Sequence, residues 1–291
     1  MDWEERAEGY RHEINTEEND SCGQEFRMIT PRSRVLDVGC ACGDMGSSLH
    51  YEKECHVWGC DYNPYSLQEA EKTGGFERLF PIDLNTFTVD DFPEFHAFFD
   101  FILLGDVLEH LIQPSETLAK LKSFLKPDGH FVVSIPNIAH SSIKMKLLQD
   151  DFTYTPSGLL DCTHLRFFTY KTFPEFFGNL GLKIEKVSGS VKGIEEDKIR
   201  QFPMACRRLI VKDIHSWIFQ YVMKIGVSSE KKEDLVAFNW QKMNISKEDL
   251  PSDIYWHNDR SHYVKYVYGS FFSHILDFLS NILRRRGKKN P

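Results

Sequence analysis

The chain has 291 residues, 41% of them hydrophobic and 27% charged, with a formal net charge of −8. That length suits one domain with additions, and the apolar fraction supports a sizeable core, which excludes a disordered chain. The acidic balance argues against a broadly basic binding face, so no nucleic-acid partner is expected.

The seven cysteines are scattered. Neither close pair, Cys40/Cys42 or Cys55/Cys60, is followed by a second Cys or His pair at zinc spacing. An odd number in apolar segments reads as reduced, buried thiols of a cytoplasmic protein. The first residues are charged and lack an apolar stretch, so no secretory leader is expected. No apolar run reaches the length of a bilayer span.

In chain order, residues 1–33 read as an N-terminal helical cap. From there, short apolar runs alternate with helical patterns. Residues 34–38, 56–60, 78–82, 100–104, 130–135, 182–188 and 235–244 read as strands. Residues 43–51, 63–73, 114–125 and 171–180 read as helices. Pro64 and Pro114 stand at helix starts, where a missing N–H costs little. This alternation predicts an α/β fold with a doubly wound, mostly parallel sheet over residues 34–245. Residues 194–227 read as a helical insertion, with 209–225 apolar at helical spacing. Residues 246–291 form a C-terminal helical extension. Its apolar positions Phe271, Phe272, Ile275, Leu276, Phe278, Leu279, Ile282 and Leu283 recur at helical period. A basic end follows, Arg284-Arg285-Arg286-Gly287-Lys288-Lys289. Docking onto the domain or onto a second copy explains that helix, and contact with an anionic membrane surface is the alternative.

The chemistry gathers at strand ends. Arg34-Val-Leu-Asp-Val-Gly-Cys-Ala-Cys-Gly-Asp-Met-Gly46 is an apolar strand, a glycine-spaced turn and a helix start. By itself it indicates only a nucleotide-like ligand. Strand two ends in Asp61, where a carboxylate can accept both ribose hydroxyl protons. Asp83-Leu84 follows strand three, where an acid can take an adenine amino hydrogen. Gly105-Asp106 follows strand four. Ligands of open α/β sheets bind at these ends.

With these segments the chain resembles the class I SAM-dependent methyltransferases (SAM is S-adenosylmethionine) from about residue 10 to 245. Phe99-Asp-Phe-Ile-Leu-Leu-Gly-Asp-Val-Leu-Glu-His-Leu111 and Leu125-Lys-Pro-Asp-Gly-His-Phe-Val-Val-Ser-Ile-Pro-Asn137 complete the set. The resemblance implies a Rossmann-like, seven-stranded sheet with its last strand antiparallel, here residues 235–244. It implies SAM as cofactor and S-adenosylhomocysteine as product. The cofactor residues implied are Tyr10, Asp37, Gly39, Cys40, Gly43, Asp61, Tyr62, Asp83, Leu84, Gly105 and Asp106. The chain departs from the family in having Ala41 where Gly is usual and Cys42 where Thr or Ser is usual.

A narrower resemblance rests on Pro136-Asn-Ile-Ala-His140, Asp151-Phe-Thr-Tyr154 and Gly158-Leu-Leu-Asp-Cys-Thr-His-Leu-Arg-Phe-Phe-Thr169. It is to a bacterial subfamily associated with cell-surface polysaccharide and O-antigen synthesis, and it implies a sugar or glycan hydroxyl as acceptor. A base is then needed near the oxygen. His140, His164 and His110 are the candidates, in that order. Their alternatives are a loop histidine bonded to backbone, a locked loop, and support of the cofactor loop. Asp161 and Arg166 share a segment with His164 and could grip a charged acceptor or pair with each other. Phe152, Tyr154, Phe167 and Phe168 could wall its pocket or fill core.

Asp106-Val-Leu-Glu-His110 also resembles the acid-x-x-Glu-His metal site of quinone-pathway O-methyltransferases and of a small-RNA methyltransferase family. The main reading assigns no metal. The second reading is a metal-assisted O-methyltransferase of a quinone-like or small aromatic acceptor. A third is a SAM-binding module without catalysis that serves a glycan-assembly complex, which only Ala41 supports.

Overall fold

The structure is a computed structural model that describes residues 14–15 and 20–242. Tyr10 and the C-terminal extension, with its membrane and dimer readings, lie outside the described residues.

Seven strands form one sheet in the order β3-β2-β1-β4-β5-β7-β6. They are β1 (Arg34–Val38), β2 (His56–Asp61), β3 (Arg78–Pro81), β4 (Phe99–Gly105), β5 (Leu125–Pro136), β6 (Leu182–Val191) and β7 (Ile218–Val227). β1 to β5 pair in parallel, and β7 runs antiparallel to both β5 and β6. The expected doubly wound sheet with an antiparallel last strand is therefore present.

Helices cover both faces: α1 (Ser21–Met28), α2 (Asp44–Lys53), α3 (Pro64–Thr73), α4 (Pro114–Lys122), α5 (Ser141–Leu147), α6 (Phe173–Gly178), α7 (Glu196–Ile199), α8 (Met204–Lys212) and α9 (Lys232–Lys242). Asp20 caps α1 through Gly23 N (2.7 Å), and Asn63 caps α3 with Pro64 at its first position, both by satisfying helix-start donors. One face buries Leu36, Ile102, Leu104, Val133, Tyr221 and Met223 with α4 and α6. The other buries Val35, Phe101, Leu103, Val132 and Val222 against Phe26, Met28 and Ile29 at α1. Alternate residues of each strand divide between the two faces, as the pleat requires.

Two sequence expectations fail at the end of the sheet. The run 209–225 is not one helix: α8 ends at Lys212, and residues 218–227 are the last strand. β7 lies between two neighbours and buries apolar residues on both faces, Tyr221, Met223 and Ile225 on one and Val222 on the other, so Ile218, Val222 and Ile225 also fit a helical spacing. Of the expected strand 235–244, the described residues 235–242 belong instead to helix α9. Leu235 and Asn239 are both fully buried there, four residues apart on one helical face. Asn239 finishes the sheet edge. Its Oδ1 accepts from Ile184 N (2.9 Å) and its Nδ2 donates to Leu182 O (3.2 Å), covering groups that β6 would otherwise expose.

β5 begins earlier than its apolar run suggests. Phe99 pairs with Leu125 but Phe101 pairs with His130. The Lys126-Pro127-Asp128-Gly129 turn thus bulges out of the strand.

Candidate cofactor cleft and acceptor site

The turn after β1 is shaped by β2. Gly39 N and Cys40 N donate to Cys60 O (2.8 and 3.0 Å), and Ala41 N donates to Asp61 Oδ2 (2.9 Å). Gly39 takes φ +72°, and a Cβ there would lie 2.7 Å from Val107 Cγ2. Ala41 takes φ +46°, a strained choice for a residue with a Cβ. The loop keeps its shape without the usual glycine because Asp61 fixes the Ala41 amide. These amides are spent inside the protein, so the turn is not a phosphate cradle.

The strand ends around it are acidic. Asp37 is 4% exposed, and its Oδ2 has no hydrogen-bond partner. Burial, then the charge of Asp61, pushes its carboxyl up to about 7. Asp61 also accepts from Asn63 N at 2.7 Å, and burial raises it against these bonds. Asp83 is half-buried past β3 and accepts from Asn85 N (3.0 Å). Leu84 lies beside it, its carbonyl taking Thr117 Oγ1 (3.0 Å). Asp106, at φ +52°, is clamped by Ser134 Oγ (3.1 Å) and by Gln220 Nε2, 2.7 Å from each carboxylate oxygen. Tyr62 is largely exposed, and Cys40 and Cys42 pack beneath the turn. Burial pushes the Cys40 and Cys60 thiols well up, so they are neutral packing groups.

A second cluster follows β4. Glu109, His110 and His164 place one potential ligand atom each within 4.8 Å of one another. Both Glu109 oxygens are buried without a hydrogen-bond partner. Burial, then Asp106, drives that carboxyl well above its usual range. His110 Nδ1 lies 3.2 Å from Thr163 O, and His164 Nδ1 lies 3.3 Å from Leu159 O. A carbonyl only accepts, so each Nδ1 carries a proton, and Nε2 is the nitrogen through which each ring would ligate a metal. The Glu109 carbonyl builds the cluster, accepting from Leu165 N (2.8 Å) and Arg166 N (2.9 Å).

The other expected acceptor residues do different work. His140 caps α5: its Nδ1 accepts from Ser142 N (3.2 Å), and its Nε2 donates to Lys192 O (3.2 Å). Burial presses it down to about 4. That tautomer leaves no lone pair for a substrate proton, so the expectation of a base at His140 is corrected. His140 lines a cavity of about 110 Å³ with Ser141, Lys192 and Phe219. Asp161 accepts from Thr163 N and Oγ1 (2.8 and 2.7 Å), while Arg166 Nε donates to Ile112 O (3.1 Å). The two act separately to shape the loop. Phe168 is core, whereas Phe152, Tyr154 and Phe167 form a partly exposed ring cluster.

Residues 4–187 match the family described as a methyltransferase domain. The chain belongs to that family.

Among relatives, the chain is 26% identical over 170 residues to a ubiquinone biosynthesis O-methyltransferase of Marinobacter nauticus, covering 56% of this chain and 69% of that protein. It is 31% identical over 127 residues to one of Hahella chejuensis, covering 43% and 52%. The chain thus spans about half the length of the second relative. Among solved structures it is similar to a Haloferax volcanii methyltransferase in complex with the Trm112 methyltransferase activator, with TM-score 0.54 and 15% identity over 78% of this chain and 95% of that one. It is also similar to a Brevibacillus brevis O-methyltransferase in complex with S-adenosylhomocysteine, with TM-score 0.51 and 15% identity over 78% of both chains. These structures establish the fold.

The methyltransferase domain is that of a SAM-dependent enzyme, and its cleft fits the cofactor. SAM has no phosphate and carries positive charge on its sulfonium and ammonium. The turn amides are internally bonded, and the strand ends offer buried carboxylates such as Asp37. Sequence reading missed Ser134 and Gln220, which hold Asp106, and Asn137, whose Nδ2 donates to His215 O and Ile218 O (both 2.8 Å). Gln220 and the Ile218 carbonyl belong to β7, the strand that the sequence did not locate. Among the described residues no helix is long and apolar enough to cross a membrane.

Proposed function

We propose that this methyltransferase domain transfers the methyl of SAM to a hydroxyl of a quinone-like or other small aromatic acceptor, assisted by a divalent cation. The observation that carries the reading is the Glu109, His110 and His164 cluster beside Asp106. A phenolic hydroxyl would gain most from such a site, because a bound cation would supply Lewis acidity that makes it easier to ionise. The Marinobacter and Hahella relatives, named as ubiquinone biosynthesis O-methyltransferases, support the same acceptor class. They give the sugar or glycan expectation no comparable support.

In this reading SAM lies along Gly39, Gly43, Asp37, Asp61, Asp83 and Asp106. Asp61 takes the ribose hydroxyls and Asp83 the adenine amino group. Asp106, clamped from β5 and β7, fixes the edge of the cleft at β4. The chain's task is to align acceptor oxygen, methyl carbon and sulfur, since the sulfonium is already activated. Glu109, His110 and His164 would hold a cation that supplies Lewis acidity at the acceptor oxygen. The non-catalytic reading loses its support, because Ala41 adopts the left-handed conformation and keeps its bond to Asp61.

The test is transfer of labelled methyl from SAM to catechol-type and glycan acceptors, with and without chelator. Catechol methylation lost on chelation and restored by Mg²⁺ or Mn²⁺ is expected. Undiminished turnover in chelator sinks the cation, and transfer to glycan alone sinks the acceptor class.

A further inference from the structure

Glu25 belongs to none of the motifs at the strand ends. It stands on α1, is 3% exposed, and its Oε1 has no hydrogen-bond partner. The Ser134 hydroxyl, which Asp106 also engages, lies beside its carboxylate. The carboxylate lies against the end of β4: a Cβ on Gly105 would fall 3.1 Å from Oε1 and 3.2 Å from Oε2. Among the described residues no lysine or arginine pairs with Glu25. Its acidic neighbours Asp106 and Asp37 make matters worse, raising its proton affinity on top of burial. A buried carboxylate in such company is costly unless a cation meets it.

The sheet order says which part of the cofactor can supply that cation. Asp83 and Asp61 end β3 and β2, on one side of β1, and β4 lies on the other. With adenine and ribose over β3 and β2, the amino-acid half extends over β1 and β4. That half carries both positive charges, the sulfonium and the α-ammonium. Asp37, Asp106 and Glu25 meet there.

We propose that Glu25 is a cofactor-binding residue whose carboxylate pairs with the cationic amino-acid half of SAM. This rests on the cofactor placement proposed above. It explains the bare Gly105, since a side chain there would displace the carboxylate. It also gives α1 a role in the cleft besides packing.

The experiment is calorimetric titration of wild type and Glu25→Gln with SAM, S-adenosylhomocysteine and 5′-methylthioadenosine. The last keeps adenosine and thioether but lacks the amino acid and all positive charge. Losing one charged hydrogen bond is expected to weaken SAM by about 10- to 100-fold, with methylthioadenosine unchanged. Equal weakening of S-adenosylhomocysteine places Glu25 at the ammonium, and a loss confined to SAM places it at the sulfonium. Cofactor-free Glu25→Gln should melt at or above the wild-type temperature at alkaline pH, because a neutral amide replaces a carboxyl that burial and its acidic neighbours make costly to ionise. Unchanged SAM affinity overturns the proposal, as does equal weakening of methylthioadenosine. If Glu25→Gln does not fold, Glu25→Asp, with its charge on a shorter arm, must show the same selectivity or the proposal falls. Wild type that binds none of the three would refute the cofactor placement itself, a result distinct from a silent Glu25.

Discussion

The rings of His110 and His164 stand edge to face with centroids 4.8 Å apart. One follows β4, and the other sits in the loop that leads towards α6. They meet because the Glu109 carbonyl receives the amide hydrogens of Leu165 and Arg166. Each ring fixes its tautomer on a carbonyl of the 159–163 segment. With Glu109 the pair forms the proposed ligand set, and His164 reaches it from a segment more than fifty residues away.

His164→Ala should abolish cation binding while sparing the cofactor. Titration with Mn²⁺ should show affinity reduced by at least about tenfold, as for loss of metal-site support. SAM affinity should stay within about twofold, because His164 is none of the residues along which the cofactor is proposed to lie. Unchanged Mn²⁺ binding would remove His164 from the site.

Asp61→Ala should cripple SAM binding. It removes the proposed ribose acceptor and also frees Ala41 N and Asn63 N. Charged hydrogen bonds contribute about 1.5–3 kcal/mol each, so affinity should fall by about 10- to 100-fold or more. A normal dissociation constant would refute the ribose assignment.

Asp37 makes cofactor-free stability depend on pH. Its folded value, about 7, lies above the usual carboxylate value of 3.8. Between those values the folded state binds more protons, so stability falls as pH rises from about 4 through 7. The full effect is on the order of a few kcal/mol. Asp37→Asn should flatten this slope and raise the melting temperature at pH 8, with little change near pH 4. Parallel pH profiles for the two proteins would contradict the burial argument.

His140→Ala should destabilise without touching chemistry. It removes the cap of α5 and the bond to Lys192 O. The cost should be about 1–3 kcal/mol in denaturant unfolding. His140→Asn should recover part of it, since Asn caps well. Methyl transfer measured below the melting temperature should keep its kcat. A large loss of kcat in a folded His140→Asn variant would return His140 to the reaction.

The legible parts of the site were those fixed by local backbone. Val35 to Gly43, Asp61, Asp83 and Asp106 each sit where an apolar strand stops, and the stopping point can be read residue by residue. The acceptor side was harder. His140 looked well placed because it follows β5, but its ring turns inward to cap a helix. His164 looked like one member of a trio with Asp161 and Arg166, yet those residues hold backbone and the histidine joins His110. Side-chain direction there depends on how two loops dock.

The sequence by itself determined the α/β class, the first five parallel strands and the acids at their ends. These follow from short-range period, strand termination and turn chemistry. Only the tertiary structure decided which segment is the last strand. β7 is paired on both sides and has Val222 buried on the face opposite Tyr221 and Met223, so its apolar pattern also fits a helix, while α9 carries just enough apolar residues to mimic a strand. Only it could bring Glu109, His110 and His164 together, or set Glu25 against Gly105. Those contacts join distant segments, and their energy comes from burial and charge in three dimensions, which no local pattern records.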